Sequence, residues 1–247
     1  MVNSEWFCYG ASVQGPGHKI SGTPNQDAWD IVDFPDFTGL IVSDGVGSCK
    51  NADKGSHAAC FGAAGAIHNI LKTGYDRHRF VDAIHHNYLC GLRGLDPSSC
   101  LATCLFGIRL GDGYIHLGML GDGLAAVMLQ DGTVSSLLDD KALVFSNIVR
   151  PLGPTVDFSD WMFMDVLENE CKAVFLCTDG VADDFDDVLK RDEFVRGYLD
   201  YTMGRSCELA VPDTVEMLTN WPVPKHTDDK TIACMYRKED SYGRRRG

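Results

Sequence analysis

Four aspartates stand at the ends of predicted strands, where their carboxylates could converge. Asp44 follows the apolar run at residues 40–43, and Asp179 follows the run at residues 174–178. Asp122 lies between two glycines after residues 119–120, and Asp228 precedes the run that begins at Thr231. A single Asp-Gly pair after a strand is most often only a turn. Several together predict a carboxylate site for a hard divalent cation, Mg²⁺ or Mn²⁺ rather than zinc.

The spacing of Asp27 and Asp44 strengthens this prediction. Both are the same number of residues from a predicted turn at Pro35-Asp36, so an antiparallel hairpin would place them opposite each other. Side chains directly across such a pair lie about 5 Å apart. Two carboxylates at that separation repel, and one takes up a proton unless a cation lies between them. The same argument applies to Asp179 and Asp228 if their strands are antiparallel neighbours.

The elements that must position these aspartates are strands in series, interrupted by blocks of helix. We expect helices at residues 54–72 and 188–201, near 214–219, and around Phe80, Val81, Ile84 and Tyr88. The predicted strands are residues 7–13, 28–34, 37–43, 101–109, 114–120, 124–129, 133–138, 161–166, 173–178 and 231–236. The pattern indicates an α+β fold in which two antiparallel sheets stack between outer helices, in α-β-β-α layers. We expect a single domain over residues 1–240 and a disordered basic tail at 241–247.

Composition excludes several classes of function. A formal net charge of −13 disfavours nucleic-acid binding, because a phosphate backbone would be repelled. No apolar run is long enough to span a bilayer, and residues 1–5 lack the basic start of a signal peptide, so a cytoplasmic protein is expected. The ten cysteines include no Cys-x-x-Cys pair and are expected to be free thiols packed as small hydrophobes.

Five motifs, in order along the chain, resemble those of the type 2C metal-dependent serine/threonine protein phosphatases, in a bacterial form. The opening and second motifs are residues 23–28 (TPNQDA) and 42–47 (VSDGVG). The middle pair is residues 99–103 with 120–123 (LGDG). The fourth and closing motifs are residues 176–183 (LCTDGVAD) and 228–233 (DDKTIA). Each motif alone is weak, but the series spans about residues 10 to 237.

The resemblance implies a β-sandwich with two metal ions in a cleft at one end. By motif matching, Asp44 would bridge the ions, the carbonyl of Gly45 would bind one, and Asp179 and Asp228 would complete the pair. Asp27 would act directly or through water. Asp122 and Asp183, with Asp179, match the residues that hold a weaker third ion in some members. Asp44 and Asp179 are thus the expected catalytic residues, because they would hold the ions that activate a water molecule. That water would attack phosphorus directly, without a covalent phosphoenzyme.

Three positions depart from the family pattern. Gln26 stands where many members have an acidic residue, and Val46 stands where several eukaryotic relatives have a histidine proposed as general acid. The arginine that holds substrate phosphate in many members has no counterpart, since no arginine precedes Arg77. His18 or Lys19 could take its place, because either side chain can donate a hydrogen bond to a phosphate oxygen. An exposed basic pair in a loop explains those two residues equally well.

The expected partner is a phosphorylated protein, with a cognate serine/threonine kinase acting in opposition. Two other interpretations remain open: a catalytically silent relative that binds a phosphoprotein or metal, and an unrelated small-molecule phosphohydrolase. Retention of Asp44, Asp179 and Asp228 favours an active enzyme. Residues 144–159 are the expected substrate-facing loop. His57 is expected to be a solvated surface residue, and His226 is a candidate for contact with the site.

Overall fold

The computed structural model describes residues 6–34, 37–137, 150–185 and 187–238. Several predicted features fall wholly or partly outside these ranges. They are the turn at Pro35-Asp36, the end of the strand predicted at 133–138, the first part of the loop at 144–159 and the basic tail at 241–247.

Within the described ranges the chain forms ten strands and six α-helices. The strands are β1 (Trp6–Val13), β2 (Asp27–Phe34), β3 (Phe37–Asp44), β4 (Cys104–Arg109), β5 (Tyr114–Leu120), β6 (Leu124–Leu129), β7 (Val134–Leu137), β8 (Met162–Leu167), β9 (Cys171–Cys177) and β10 (Lys230–Arg237). The helices are α1 (Pro16–Ser21), α2 (Ala52–Thr73), α3 (Arg77–Gly91), α4 (Asp179–Ala182), α5 (Val188–Met203) and α6 (Cys207–Thr219).

The strands form two five-stranded sheets in which every pair is antiparallel. The first sheet has the order β1-β10-β9-β6-β7, and the second has the order β2-β3-β4-β5-β8. β3 and β10 therefore lie inside their sheets, which suits their almost continuously buried sequences. Asp44 ends β3, Asp179 follows β9, and Asp228 lies just before β10.

Three layers of apolar contact hold the sheets and helices together. Leu40 and Val42 of β3 face Val174 and Leu176 of β9 in the layer between the sheets. The opposite face of β3 packs through Ile41 on helices α2 and α3, and a third cluster joins β9 and β10 to α5 and α6. The predicted α-β-β-α sandwich is confirmed.

The structure differs from the predicted elements in four places. The strand predicted at 101–109 begins only at Cys104, because Ala102 exchanges backbone hydrogen bonds with Leu152 instead of continuing the ladder. The helix predicted near 214–219 is present but longer, since it begins at Cys207 and contains Pro212 in its interior. Helices α1 and α4 were not predicted. Each has six residues or fewer, too short to show a helical period in the sequence.

All ten cysteines are free, and most are buried as expected for small apolar side chains. No helix in the described part of the chain is both long and apolar enough to cross a bilayer.

Candidate metal centre

The hairpin of β2 and β3 places two carboxylates side by side. Asp27 is the direct cross-strand partner of Asp44, as the symmetry about residues 35–36 predicted. β9 and β10 are also antiparallel neighbours, with Cys177 opposite Ile232. Asp179 follows β9 and Asp228 precedes β10, so these two residues lie at the same end of the first sheet.

These strand ends surround one cleft of about 540 Å³. Of the metal-binding residues expected from the sequence, five line it: Asp44, Gly45, Asp122, Asp179 and Asp228. Asp183 lines a smaller adjoining cleft of about 250 Å³, which it shares with Asp179 and Asp228. Asp27 lies buried beneath Asp44, with 4% of its surface exposed. The structure therefore brings together residues separated by as many as two hundred positions in the sequence.

Asp27 is held by hydroxyl groups from the first sheet. Its Oδ2 accepts hydrogen bonds from Thr178 Oγ1 at 2.9 Å and from Thr231 Oγ1 at 2.7 Å. The backbone N–H of Thr231 in turn donates to Thr178 Oγ1. This network joins the start of β2 to β9 and β10, so Asp27 connects the two sheets below the cleft.

The main chain of Asp44 is fixed by Thr103. The N–H of Asp44 donates to Thr103 Oγ1, and the N–H of Thr103 donates to the carbonyl of Asp44, both at 2.8 Å. The hydroxyl of Ser43 donates to the carbonyl of Thr103. Thr103 thus positions Asp44 from outside its own hairpin.

Gly45 allows the end of β3 to pack directly on the start of α2. Its N–H donates to the carbonyl of Gln26 at 3.1 Å, and a Cβ atom at Gly45 would overlap the carbonyl of Ala52. Only glycine fits this contact without a shift of the backbone. The same close approach holds the Gly45 carbonyl, a predicted metal ligand, in the wall of the cleft.

Substitution Gly45→Ala is expected to destabilise the protein by about 1–3 kcal/mol, the usual cost of overpacking a rigid contact. Gly197→Ala is the matched control, because Gly197 lies within α5 with no atom within 4 Å of its Cβ position. That change should be neutral or stabilise the protein by up to about 1 kcal/mol, as alanine favours helix. Urea unfolding of both variants measures the difference. Equal stabilities would contradict the packing assigned to Gly45.

Asp122 and Asp179 reach the cleft from different kinds of turn. Gly121 and Gly123 have φ angles of 94° and 115°, so the Gly-Asp-Gly turn between β5 and β6 depends on glycine on both sides of Asp122. Asp179 instead begins the short helix α4, with Thr178 as the residue before it.

Burial and mutual repulsion perturb the carboxyl groups of the cleft. Burial, together with the negative charges of Asp27, Asp179 and Asp228, raises the pKa of Asp44 well above its usual range. Burial and the charges of Asp122 and Asp228 raise the pKa of Asp179 to about 7. Burial also raises the pKa of Asp27 to about 7, although hydrogen bonds from Thr231, Asp44 and Thr178 oppose the change. Converging buried carboxyls of this kind fit divalent cations, which relieve the repulsion between them.

His18 also borders the cleft, whereas Lys19 does not. A ring nitrogen of His18 and a carboxylate oxygen from each of Asp228 and Asp229 lie within 4.8 Å of one another. Lys19 is exposed on the outer side of α1 and is not among the residues that line the cleft. Of the two predicted phosphate-binding residues, the structure thus brings only His18 to the site.

Three other positions considered in the sequence have clear places in the structure. Val46 lines the cleft where a histidine would stand in some relatives. His57 is exposed, as expected, with its Nδ1 2.8 Å from the carbonyl of Asp53. His226 lines the smaller cleft and lies 3.1 Å from the ammonium group of Lys230.

Sequence reasoning missed several residues that shape the site, chiefly Thr103, Thr178 and Asp229. Thr103 hydrogen-bonds to Asp44 and Thr178 to Asp27, and no spacing in the sequence predicts either contact. Asp229 is an acidic residue next to the predicted ligand Asp228, and this could have marked it as a site residue. Its burial, however, depends on the packing of residues 15–26 against the start of β10.

Two antiparallel sheets thus stack face to face, with a carboxylate-lined cleft at one end. The model of the Protein phosphatase 2C family matches residues 14–214. The chain belongs to this family. No curated protein sequence matches it significantly.

Solved structures with the same fold are remote in sequence. A bacterial serine phosphatase is 14% identical with a TM-score of 0.67, covering 96% of this chain and 98% of that one. RsbX in complex with magnesium is 15% identical with a TM-score of 0.59, covering 94% of each chain. PppA of Pseudomonas aeruginosa is 16% identical with a TM-score of 0.61, covering 95% of this chain and 98% of that one. At these identities the likeness establishes the fold alone.

Proposed function

We propose that this protein hydrolyses phosphoserine and phosphothreonine esters in proteins with two divalent ions, Mn²⁺ or Mg²⁺. The observation that carries the proposal is the convergence of Asp44, Asp179 and Asp228 in one cleft, with the pKa values of Asp44 and Asp179 raised. Family membership supports the same chemistry. RsbX, which shares the fold, was solved in complex with magnesium, and this supports a hard divalent ion here.

Each residue has a proposed part in holding the ions. Asp44 lies between the two sheets and is the proposed bridging ligand, with the Gly45 carbonyl beside it. Asp179 and Asp228 supply carboxylates from the first sheet, and Asp27 supports Asp44 from below. When bound, the ions would lower the pKa of a water molecule and neutralise charge on the phosphoryl group. Asp122 and Asp183 stand on either side of Asp179 in the two adjoining clefts, as residues for a weaker third ion would.

The substrate phosphate is proposed to bind beside His18. This side chain lines the cleft with Asp44 and Asp228 and is 22% exposed, so a ligand in the cleft can reach it. Lys19, exposed on the same short helix, is the alternative donor for a phosphate that extends outward. Neither assignment requires a nucleophilic cysteine, in keeping with the buried thiols of Cys100, Cys104 and Cys177.

We propose a phosphoprotein substrate and a kinase that opposes the phosphatase, and the regulatory roles printed for proteins of the same fold support this. PppA is described as a regulatory component of a secretion system, and another neighbour contains RsbU and RsbW domains. We propose a similar signalling role here, in the cytoplasm. The alternative is a silent module that binds metal or phosphoprotein without turnover.

Release of inorganic phosphate tests the proposal. Purified protein should release phosphate from phosphoserine and phosphothreonine peptides in the presence of Mn²⁺, and a chelator should abolish the release. Absence of turnover from folded protein that binds the metal would contradict the enzyme and select the silent module.

A further inference from the structure

Asp229 is a buried carboxylate whose oxygens all face one segment of the chain. It is 1% exposed and lies beside Asp228, a proposed metal ligand. Its Oδ1 accepts from the N–H of Gly15 at 2.7 Å, and its Oδ2 accepts from the N–H of Gln26 at 2.6 Å. These bonds hold both ends of the segment that contains α1 against the start of β10.

The third partner of Asp229 is His18. Its Nδ1 lies 2.8 Å from Asp229 Oδ2, within the loop that the two backbone bonds close. The neighbouring Gly17 N–H donates to the carbonyl of Thr227 at 2.9 Å, which fixes the helix turn that carries His18. With Nδ1 held by Asp229, Nε2 is the ring nitrogen left to face a ligand in the cleft. In the part of the chain that the structure describes, no protein group hydrogen-bonds to Nε2.

We propose that Asp229 is a positioning residue that holds His18 as a phosphate-binding donor of the active cleft. This inference rests on the proposed phosphatase function. Asp229 accepts a hydrogen bond from Nδ1–H and so fixes the ring, while an Nε2–H donates to an oxygen of the bound phosphate. An imidazolium between two anionic groups can donate one N–H to each of them. The pair would perform the phosphate contact for which no arginine is available before Arg77.

The chemistry of this position requires a carboxylate rather than an amide. Three donors converge on Asp229: two backbone N–H groups and the ring N–H of His18. An asparagine would turn its NH₂ group toward at least one of them, and a donor would then face a donor. Whichever way the amide turns, its NH₂ group faces either Gly15 or the pair of Gln26 and His18, and the negative charge beside His18 is lost. The Asp229→Asn variant should therefore weaken the hold on His18 while nearly preserving the size of the side chain.

A double-mutant cycle tests the coupling. His18→Ala and Asp229→Asn should each lower kcat/KM for an aryl phosphate by about 10- to 100-fold, the usual effect of losing a charge-assisted hydrogen bond. The loss should appear mainly in KM, because the contact is made to the phosphate already in the bound substrate. The double variant should be no worse than His18→Ala alone, since Asp229 acts through His18.

Asp165→Asn is the matched control. Asp165 Oδ1 lies 2.9 Å from His116 Nδ1 in a second His–Asp pair, on β8 and away from the cleft. This change should leave KM unaltered. Additive losses in the cycle, or an equal effect of the control, would show that Asp229 only stabilises the fold and would overturn the proposal.

Nitrogen NMR of the unmodified protein tests the pair without turnover. With Mg²⁺ bound, His18 should carry a proton on Nδ1, and inorganic phosphate should shift the Nε2 resonance. Three results would each overturn the inference. They are an unprotonated Nδ1, an Nε2 resonance that phosphate does not shift, and nitrogen coupling between His18 and bound Mn²⁺ in electron paramagnetic resonance. An inactive wild-type protein would contradict the proposed function instead, and the phosphate-dependent shift would still decide the role of His18.

Discussion

Substitution Asp44→Asn is expected to lower kcat by about 1,000-fold or more while leaving the protein folded. Asp44 is the proposed bridging ligand, and metal ions contribute several kcal/mol of transition-state stabilisation at such sites. A loss of about 4 kcal/mol corresponds to a factor of about 1,000 in rate. Steady-state hydrolysis of an aryl phosphate at saturating Mn²⁺ measures the change.

The same substitution should stabilise the metal-free protein. The Asp44 carboxyl is buried among the negative charges of Asp27, Asp179 and Asp228, which raise its pKa. An asparagine removes this repulsion but can keep a hydrogen bond to Asp27. Asp131→Asn is the control, because Asp131 is exposed in the turn before β7, where it accepts from the N–H of Thr133 at 2.8 Å. That variant should match wild type in activity and stability. Retention of activity by Asp44→Asn would contradict the metal centre assigned here.

Bound metal should stabilise the protein more strongly as the pH rises from 6 to 8. Asp27 and Asp179 have pKa values near 7 in the metal-free fold, above the ordinary value of 3.8. The folded state therefore binds more protons than the unfolded state within this window, and its stability falls as the pH rises toward and through 7. Metal binding requires the deprotonated carboxylates, so it releases protons and becomes more favourable at higher pH.

Thermal unfolding with and without Mn²⁺ measures this effect. The increase in Tm caused by Mn²⁺ should be larger at pH 8 than at pH 6. The free energy by which the metal stabilises the fold should differ by about a few kcal/mol between the two pH values. In Asp179→Asn the pH dependence should be flatter, since one of the titrating groups is gone. A metal-induced increase in Tm that is the same at both pH values would contradict the raised pKa values.

The sequence was sufficient to predict the parts of the site that follow from local symmetry. Asp27 and Asp44 flank one hairpin at equal distances, so their pairing needs no knowledge of the rest of the chain. The stacking of two sheets follows in the same way from many short strands with helical blocks between them. These features depend on contacts close in sequence, which is why a pattern of residue types reveals them.

The remainder of the site depends on contacts between distant segments. Asp229 reaches Gly15, His18 and Gln26, more than two hundred residues earlier, and no local spacing signals that packing. Of the two basic residues of α1, His18 lines the cleft and Lys19 does not, a distinction that the sequence left open. The apolar sequence of residues 101–103 predicts that they continue the strand. Their hydrogen bonds to Asp44 and Leu152 lie outside the ladder of β4, and no local pattern predicts those bonds.

The most direct test of the central claim compares phosphate release by wild type and Asp179→Asn from a phosphoserine peptide, with Mn²⁺ and with chelator. The account predicts turnover by wild type that requires Mn²⁺ and a loss of at least about 1,000-fold in the variant, whose fold should be intact. Turnover that persists with chelator, or an Asp179→Asn variant as active as wild type, would contradict a metal-dependent mechanism in this cleft.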